Sequence, residues 1–189
     1  MKSISRLTRH LSQPLRKGFF KNISDDGPSI CGDIDIRIGT DGTWFYMGTP
    51  IARESLVRLF ANTLIRDEHG DFWLVTPHEM CRIKVDDAPF TAVELLVSGT
   101  GINRQLTFKT NVDEKVRAGR KNAIRVEIDD HTGEPRPYIE IRDGIDALIL
   151  RSVFYEMIEL GEEKTMRGRK FFGVWSDGVF FELGALESG

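Results

Sequence analysis

The segment GDIDIRIGTDGTWFYMGTPI, from Gly32 to Ile51, decides the fold of this chain. Isoleucine stands at every second position, Ile34, Ile36 and Ile38, and this alternation predicts a strand with one face against a core. A turn sequence, TDG, and an aromatic run, WFYM, follow, so the segment predicts a β-hairpin. The next residues, GTP at 48–50, are expected to end the hairpin and to begin a helix.

Composition limits the class of protein. The chain has 189 residues, 40% of them hydrophobic, which is enough to bury a core in one compact domain or two small ones. A net charge of -3 argues against a general nucleic-acid binder. Cys31 and Cys81 are the only cysteines, and we expect free thiols in a cytoplasmic protein. No apolar run approaches the roughly 20 residues of a transmembrane helix.

The first segment of the chain differs from the rest. Between Met1 and Lys21 all charged side chains are basic, and the apolar residues are too scattered for a secretion signal. We therefore expect residues 1–30 to form a basic N-terminal arm. The cluster SDDGP at 24–28 predicts a loop that leads into the folded part.

Helix and strand patterns alternate after the hairpin. Leu56, Leu59, Phe60 and Leu64 recur with helical spacing and predict a helix packed on one side. Four stretches with strand patterns follow, at 71–75, 80–85, 93–97 and 106–108. A short turn of helix is expected after Asn111, ending at Gly119.

The second half of the chain repeats the order of the first. Ile124, Val126 and Ile128 alternate as the isoleucines of the opening strand do, and Val153-Phe154 stands at the same offset as Leu59-Phe60. Each half is predicted as strand, strand, helix, strand, strand. The expected fold class is therefore α+β, with two similar halves produced by internal duplication, each a mainly antiparallel sheet with one packed helix. The N-terminal repeat is placed at 31–118 and the C-terminal repeat at 119–189.

Several motifs between Cys31 and Leu183 resemble a bacterial family known as domain of unknown function 1285. The motifs that carry the resemblance include CGDIDIRIGTDGTWFYMGTPI, VDDAPF, LTFKTNVDE and FGVWSDGVFF. The resemblance implies a duplicated α+β motif whose C-terminal half is loosely similar to pleckstrin-homology-like domains. It also implies a role in signal transduction, and it assigns no reaction.

Acidic residues are the first candidates for a site. Asp33 and Asp35 lie two apart on the opening strand and point the same way, and Asp86-Asp87 stands at another strand end. Such carboxylates could hold a hard cation or act as an acid and base pair. The alternative is an exposed, ion-paired surface, because Arg37 shares the face of the first two. We favour the ion-paired surface and expect no metal and no cofactor.

Aromatic residues give a second set of candidates. Trp44 and Tyr46 are two apart on a strand and should share one face, next to Gly48, where a backbone can approach a ligand. No serine, cysteine or histidine stands in the context of an activated nucleophile.

The sequence therefore favours a non-enzymatic protein that binds a small polar ligand or a protein partner at the junction of the two repeats. The alternative is an enzyme with an unrecognised site, such as a metal-assisted hydrolase that uses Asp33, Asp35, Asp86 and Asp87. The predicted ligand-binding residues are Asp33, Asp35, Arg37, Trp44, Tyr46, Gly48, Asp86, Asp87 and Asn111.

Overall fold

The structure of the protein is a computed structural model that describes residues 28–166 and 168–185. The chain forms two compact units. Of the described residues, those up to 39 and those at 43–86 belong to the first unit, and those at 40–42 and from 87 onward belong to the second. Of the basic arm predicted at 1–30, residues 1–27 lie outside the described residues, and Ser29 and Ile30 are the first two residues of a strand.

In its described residues, the first unit contains six strands and one helix. They are β1 (Ser29–Ile38), β2 (Trp44–Tyr46), β3 (Thr49–Pro50), α1 (Glu54–Thr63), β4 (Leu64–Arg66), β5 (Phe72–Val75) and β6 (Glu79–Val85). The strands form one sheet in the order β3-β2-β1-β6-β5-β4. Neighbouring strands are antiparallel, except that β1 and β6 pair in parallel.

The second unit is also rich in strands. Its described elements are β7 (Phe90–Ser98), a 3-10 turn (Gly101–Asn103), β8 (Gln105–Thr110), β9 (Lys115–Arg117), β10 (Ile124–Ile128), β11 (Pro135–Arg142), β12 (Ile145–Ile149), α2 (Arg151–Glu159), β13 (Glu162–Met166), β14 (Arg169–Ser176) and β15 (Val179–Ala185). Six strands form a sheet in the order β10-β11-β12-β7-β8-β9, and the last three form a sheet in the order β13-β14-β15.

Alternating apolar residues set the core of each unit. Ile36 and Ile38 are buried on β1, and their neighbour Arg37 is exposed, as the period of a strand requires. In the second unit Phe90, Leu106 and Phe108 are buried completely, and the buried side of α2 packs against β7. Each unit is thus a sheet-rich body whose described part includes one helix.

The two halves share an order of elements. Three strands, one helix and three strands run from β1 to β6, and the same order runs from β10 to β15. The sheet order β3-β2-β1 is matched by β12-β11-β10, and β6-β5-β4 is matched by β15-β14-β13. β15 lies next to β10, just as β6 lies next to β1. Of these two pairs, only β1 and β6 are hydrogen-bonded neighbours in a described sheet. The sequence predicted two strands before and two strands after each helix, whereas the structure has three before and three after.

The start and end of α1 differ from the predicted helix. Thr49 and Pro50 pair with β2 because Met47 and Gly48 form a tight turn with positive φ angles of 49° and 74°. The helix begins three residues after Ile51, at Glu54. Two members of the predicted apolar stripe are also misplaced, since Leu59 is 45% exposed and Leu64 is the first residue of β4.

The short helical turn predicted after Asn111 is wrong. Lys115–Arg117 is the strand β9, because it pairs with β8 and places Arg117 opposite Thr107. Asn111 instead accepts a hydrogen bond from the backbone N–H of Thr91 through its side-chain oxygen, at 3.1 Å.

The expectation of free thiols is also wrong. Cys31 and Cys81 form a disulfide, and their Cα atoms are 5.2 Å apart. The parallel pairing of β1 with β6 brings them together, because it aligns Gly32 with Cys81 and leaves Cys31 at a bulge beside it. None of the described helices is long and apolar enough to cross a membrane.

Candidate functional site

The charged face of β1 is an ion-paired surface. Asp33 accepts two hydrogen bonds from Arg82 on β6, at 2.7 Å from Nε and 3.1 Å from Nη2. The hydrogen bond from Arg82 lowers the pKa of the Asp33 carboxyl below its usual value. Arg82 is also bonded to Asp71, at 3.3 Å. The carboxylate of Asp33 is thus bound to an arginine of a neighbouring strand.

Arg37 lies on this same face and has its own partners. It donates a hydrogen bond to Asp86 at 3.0 Å, and its guanidinium lies 4.9 Å from the centre of the Phe45 ring. Asp35, also on this face, is exposed, and its backbone oxygen accepts a hydrogen bond from the N–H of Met47. The guanidinium of Arg37 therefore already has two partners within the protein, Asp86 and Phe45.

The aromatic candidates lie on the opposite face of the sheet. Tyr46 is directly opposite Ile36, and Trp44 is opposite Ile38, so both rings share the isoleucine face and not the face of Arg37. Trp44 is buried and stacks on Phe60 at 6.1 Å, and no described residue accepts a hydrogen bond from its indole N–H.

Tyr46 is 54% exposed and lies at one end of an apolar groove. Gly48 follows it in the turn with φ of 74°, and the space where a Cβ would stand is open. The groove has a volume of about 380 Å³. It is lined by Ile36, Tyr46, Thr49, Pro50, Ile51, Leu56 and Phe60.

Two further candidates belong to the second unit. Asp87 accepts hydrogen bonds from Arg136 at 2.5 Å and from the hydroxyl of Tyr138 at 2.9 Å. Burial raises the pKa of Tyr138. Asn111 donates a hydrogen bond to the backbone oxygen of Gly42 at 3.2 Å, in addition to its bond with Thr91. Both candidates have structural partners. Within the described residues, no three His, Cys, Asp or Glu side chains are grouped to hold a metal ion.

A pocket that the sequence analysis did not identify lies within the second unit. We call it the basic pocket. It has a volume of about 620 Å³, in the usual range for small-molecule sites. Its lining residues are Thr107, Lys115, Arg117, Gly119, Arg120, Lys121, Asn122 and Asp177.

The cations of the basic pocket have no ion-pair partner among the described residues. Lys115, Arg117, Arg120 and Lys121 are exposed, and none of them is in an ion pair with the described part of the chain. Acidic residues are close in sequence, but Asp113 bonds Lys109 and Glu114 bonds Arg142. The formal charge of the lining is +4 from these cations and -1 from Asp177, which gives +3, whereas the whole chain carries -3.

A buried hydroxyl ties together the wall behind the pocket. Ser176 is completely buried, donates a hydrogen bond to the backbone oxygen of Ala118 at 2.7 Å and accepts one from the N–H of Leu106 at 2.9 Å. These bonds join the end of β14, the residue before Gly119 and the start of β8. The pocket therefore rests on fixed backbone.

The comparisons with known proteins name a family. The N-terminal domain of DUF1285, a domain of unknown function, matches residues 23–88, and the C-terminal domain of this protein family of unknown function matches residues 89–183. The chain belongs to the DUF1285 family. No curated protein matches it.

Two solved structures of DUF1285 proteins are similar to the chain. One, from Silicibacter pomeroyi DSS-3, is 50% identical, covers 84% of each chain and has a TM-score of 0.78. The other, from Shewanella baltica OS155, is 21% identical, covers 67% of this chain and 91% of its own, and has a TM-score of 0.53, so it supports the fold alone. The basic pocket lies entirely in the part that matches the DUF1285 C-terminal domain.

A local signal for the pocket exists in the sequence. The stretch KVRAGRK, from Lys115 to Lys121, carries four cations in seven residues and no acid. Its alternating start predicts cations on one face of a strand, and its glycine predicts a turn. The other side of the pocket, at Asp177, is not visible in this stretch because it comes from the distant turn between β14 and β15.

Proposed function

We propose that the protein is a non-enzymatic binding protein and that the basic pocket holds a small anionic ligand. The observation that carries the proposal is the convergence on one concave surface of four cations that form no ion pair within 28–166 and 168–185: Lys115, Arg117, Arg120 and Lys121. Like charges repel one another, so such a group gains stability when an anion enters. Several arginines elsewhere in the described chain, such as Arg82 and Arg136, are neutralised by carboxylates of the protein.

The lining of the pocket lies within the second compact unit and includes residues on both sides of 118/119, the boundary predicted between the two repeats. Thr107, Lys115 and Arg117 belong to the repeat at 31–118, and the remaining lining residues belong to the repeat at 119–189. The site residues differ from those predicted, since none of the nine predicted residues lines the basic pocket. The repeat boundary also differs from the boundary of the compact units, because β7, β8 and β9 continue the sheet of β12.

The composition of the lining favours binding over catalysis. The pocket contains one hydroxyl, on Thr107, and one carboxylate, on Asp177, and it contains no histidine or cysteine. No described contact activates Thr107 as a nucleophile. The alternative, a hydrolase that uses Asp33, Asp35, Asp86 and Asp87, gains no support from the contacts, because Asp33, Asp86 and Asp87 are each bonded to an arginine.

Three broader proposals accompany this function. The shared order of elements supports an internal duplication, which superposition of β1–β6 and α1 on β10–β15 and α2 would test. The pleckstrin-homology likeness of the C-terminal half and a role in bacterial signal transduction rest on the family resemblance. A cytoplasmic location, proposed from the sequence, is the third, and it would require the disulfide between Cys31 and Cys81 to form where such bonds are rare.

Titration calorimetry with tripolyphosphate at low salt tests the proposed function. We expect binding to the wild type and a loss of about 100-fold in the double variant Arg117→Gln/Lys121→Gln, because each charge-assisted hydrogen bond is worth about 1.5–3 kcal/mol. The matched control is Arg53→Gln/Lys84→Gln, which removes one exposed arginine and one exposed lysine from the first unit.

The control should bind as the wild type does. Equal losses in the two double variants would show a general charge effect and contradict a site at the basic pocket, as would the absence of binding to the wild type. Phosphorus NMR of the same mixture should show intact tripolyphosphate. Release of orthophosphate by the wild type, but not by the pocket variant, would show an enzyme and overturn the non-enzymatic part of the proposal.

A further inference from the structure

The cations of the basic pocket form two pairs in different elements. The first is a strand pair, Lys115 and Arg117, on the edge strand β9. They are two residues apart and so point to the same side, about 6.6 Å from each other along the strand. Between them Val116 is buried, and opposite Arg117 lies Thr107, whose hydroxyl adds a donor to this end of the pocket.

The second is a loop pair, Arg120 and Lys121, at the tip of the turn between β9 and β10. The turn is closed by a hydrogen bond from the N–H of Gly119 to the oxygen of Asn122, at 3.0 Å. The side-chain amide of Asn122 donates to the backbone oxygens of Glu140 and Ile141, both at 3.0 Å. The tip is therefore fastened to β11, and its two cations stand at a fixed place relative to the strand pair.

One carboxylate accompanies the two cationic pairs. Asp177 lies in the turn between β14 and β15, where its φ of 49° and that of 74° at Gly178 are typical of a type I′ turn. The N–H of Asp177 donates to the oxygen of Arg104 at 2.8 Å. Its Oδ2 lies 3.2 Å from the position that a Cβ would take at Gly119, the residue between the strand pair and the loop pair in the chain. Among the described residues, no cation is in an ion pair with this carboxylate.

We infer that the ligand of the basic pocket is an organic bisphosphate, with two phosphate groups on a spacer that carries hydroxyl or amino groups. The inference rests on the proposed function and names its ligand class. Each cationic pair matches one phosphate, which carries about -1.5 to -2 at neutral pH. Asp177 repels an anionic group next to Gly119 and accepts hydrogen bonds from a neutral or cationic spacer.

The size and shape of the site favour this class over a nucleic acid. The cations surround a pocket of about 620 Å³, and the lining contains no aromatic side chain on which a base could stack. A nucleic-acid surface would instead need an extended basic track. A single inorganic phosphate can engage one pair of cations and leaves the other unneutralised.

Four probes test the ligand class by calorimetry on the full chain: inorganic phosphate, pyrophosphate, butanediol bisphosphate and fructose bisphosphate. We expect affinity to rise by at least about tenfold from phosphate to butanediol bisphosphate, since a second charged group adds bonds worth about 1.4 kcal/mol or more. A further gain is expected for fructose bisphosphate, whose hydroxyls can donate to Asp177. Pyrophosphate should bind more weakly than either bisphosphate because it has no spacer that could place its two groups at separate cationic pairs.

Asp177→Asn isolates the role of the carboxylate. Asparagine tolerates a left-handed backbone and has the same shape, so the turn should persist, and circular dichroism checks this. We expect the variant to bind phosphate at least as tightly as the wild type and to lose most of the preference for fructose bisphosphate over butanediol bisphosphate. Glu182→Gln, an exposed charge change on β15 outside the pocket, is the control and should keep that preference.

The outcomes separate the two proposals. If tripolyphosphate and phosphate bind at the pocket but the bisphosphates bind no better, the ligand class is wrong and the proposed function stands. If none of the anions binds, both are wrong. Tighter binding of a short RNA than of fructose bisphosphate, lost in Arg117→Gln/Lys121→Gln, would also overturn the bisphosphate assignment.

Discussion

Asp86 and Asp87 are consecutive in the chain, yet each accepts a hydrogen bond from an arginine of a different structural unit. Asp86 bonds Arg37 of the first unit at 3.0 Å, and Asp87 bonds Arg136 of the second at 2.5 Å. The boundary between the units passes between these two carboxylates. The two carboxylates are therefore bound to different arginines, and these contacts do not bring them together as one acidic pair.

Asp87→Asn is expected to destabilise the protein more than Asp86→Asn. Asp87 is joined to both Arg136 and Tyr138, and its side chain is 20% exposed, so the change weakens two partly buried hydrogen bonds. We expect a loss of about 1–3 kcal/mol of unfolding free energy, against less than about 1 kcal/mol for the more exposed Asp86 pair. Urea denaturation measures both values. Equal losses of unfolding free energy in the two variants would contradict the conclusion that Asp87 makes the stronger contacts.

Phe60 of α1 and Phe154 of α2, whose places correspond in the two predicted repeats, are expected to differ in their contribution to stability. Phe154 is buried, and its change to alanine should cost about 3–5 kcal/mol. Phe60 lines the apolar groove and keeps part of its ring exposed, so Phe60→Ala should cost clearly less. Denaturation curves compare the two variants. A larger loss for Phe60→Ala would show that its stacking on Trp44 matters more than its exposure indicates.

Local patterns predicted the elements of the fold better than their ends. The alternation around Ile36 and Ile38 defined β1 because one buried face determines which side chains point inward. The end of α1 was missed because Leu64 continues the apolar spacing but belongs to β4, whose pairing with Leu74 is not a local property. The same reason explains the short strand β9, which depends on its ladder with β8.

The candidate site was harder to predict than the fold. Alternation correctly placed Trp44 and Tyr46 on one face, but the charged face of Arg37 is the other face of the same strand pair. The basic pocket requires Gly119 to meet Asp177, which is far along the chain and comes from another sheet. Single-sequence patterns contain no information about such a distant meeting. The sequence shows the four cations of KVRAGRK, but it does not show that they line one pocket.

The Asp33 and Arg82 pair is expected to make stability depend on pH in the acid range. The pKa of Asp33 lies below its ordinary value of 3.8 in the folded protein, so its contribution is present above that value and is lost as pH falls through the folded pKa. Wild type and Asp33→Asn should therefore differ at neutral pH and converge in acid. Urea midpoints over this range measure the effect. In the Arg82→Gln background the same substitution should have much less pH-dependent effect.

Divalent cations are not expected to stabilise the protein through the predicted acidic residues. Asp33 and Asp86 are bonded to Arg82 and Arg37, so a cation would have to displace an arginine at each. A ligand that binds only the folded state raises the melting temperature. Thermal melts with calcium, magnesium and manganese should therefore match the melt without them. A clear rise that disappears in Asp35→Asn would contradict this and favour the metal-dependent alternative.

Ser176→Ala is expected to weaken both the fold of the second unit and the basic pocket. The hydroxyl of Ser176 is completely buried and satisfies the backbone oxygen of Ala118 and the N–H of Leu106. Its removal leaves two buried polar groups without this partner, and each such group costs about 1–3 kcal/mol. Ser152→Ala, at an exposed position in α2, is the matched control and should change stability little.

Hydrogen exchange locates the effect of Ser176→Ala. The amide of Leu106 should lose protection, because it donates its hydrogen bond to the Ser176 hydroxyl, and amides of α2 should lose less. Tripolyphosphate affinity should fall as well, since the bond from Ser176 holds Ala118, the residue before Gly119, in place. A variant with lower stability but unchanged affinity would show that the loop of Arg120 and Lys121 keeps its position through Asn122 alone. Unchanged protection at Leu106 would show that this amide finds another acceptor.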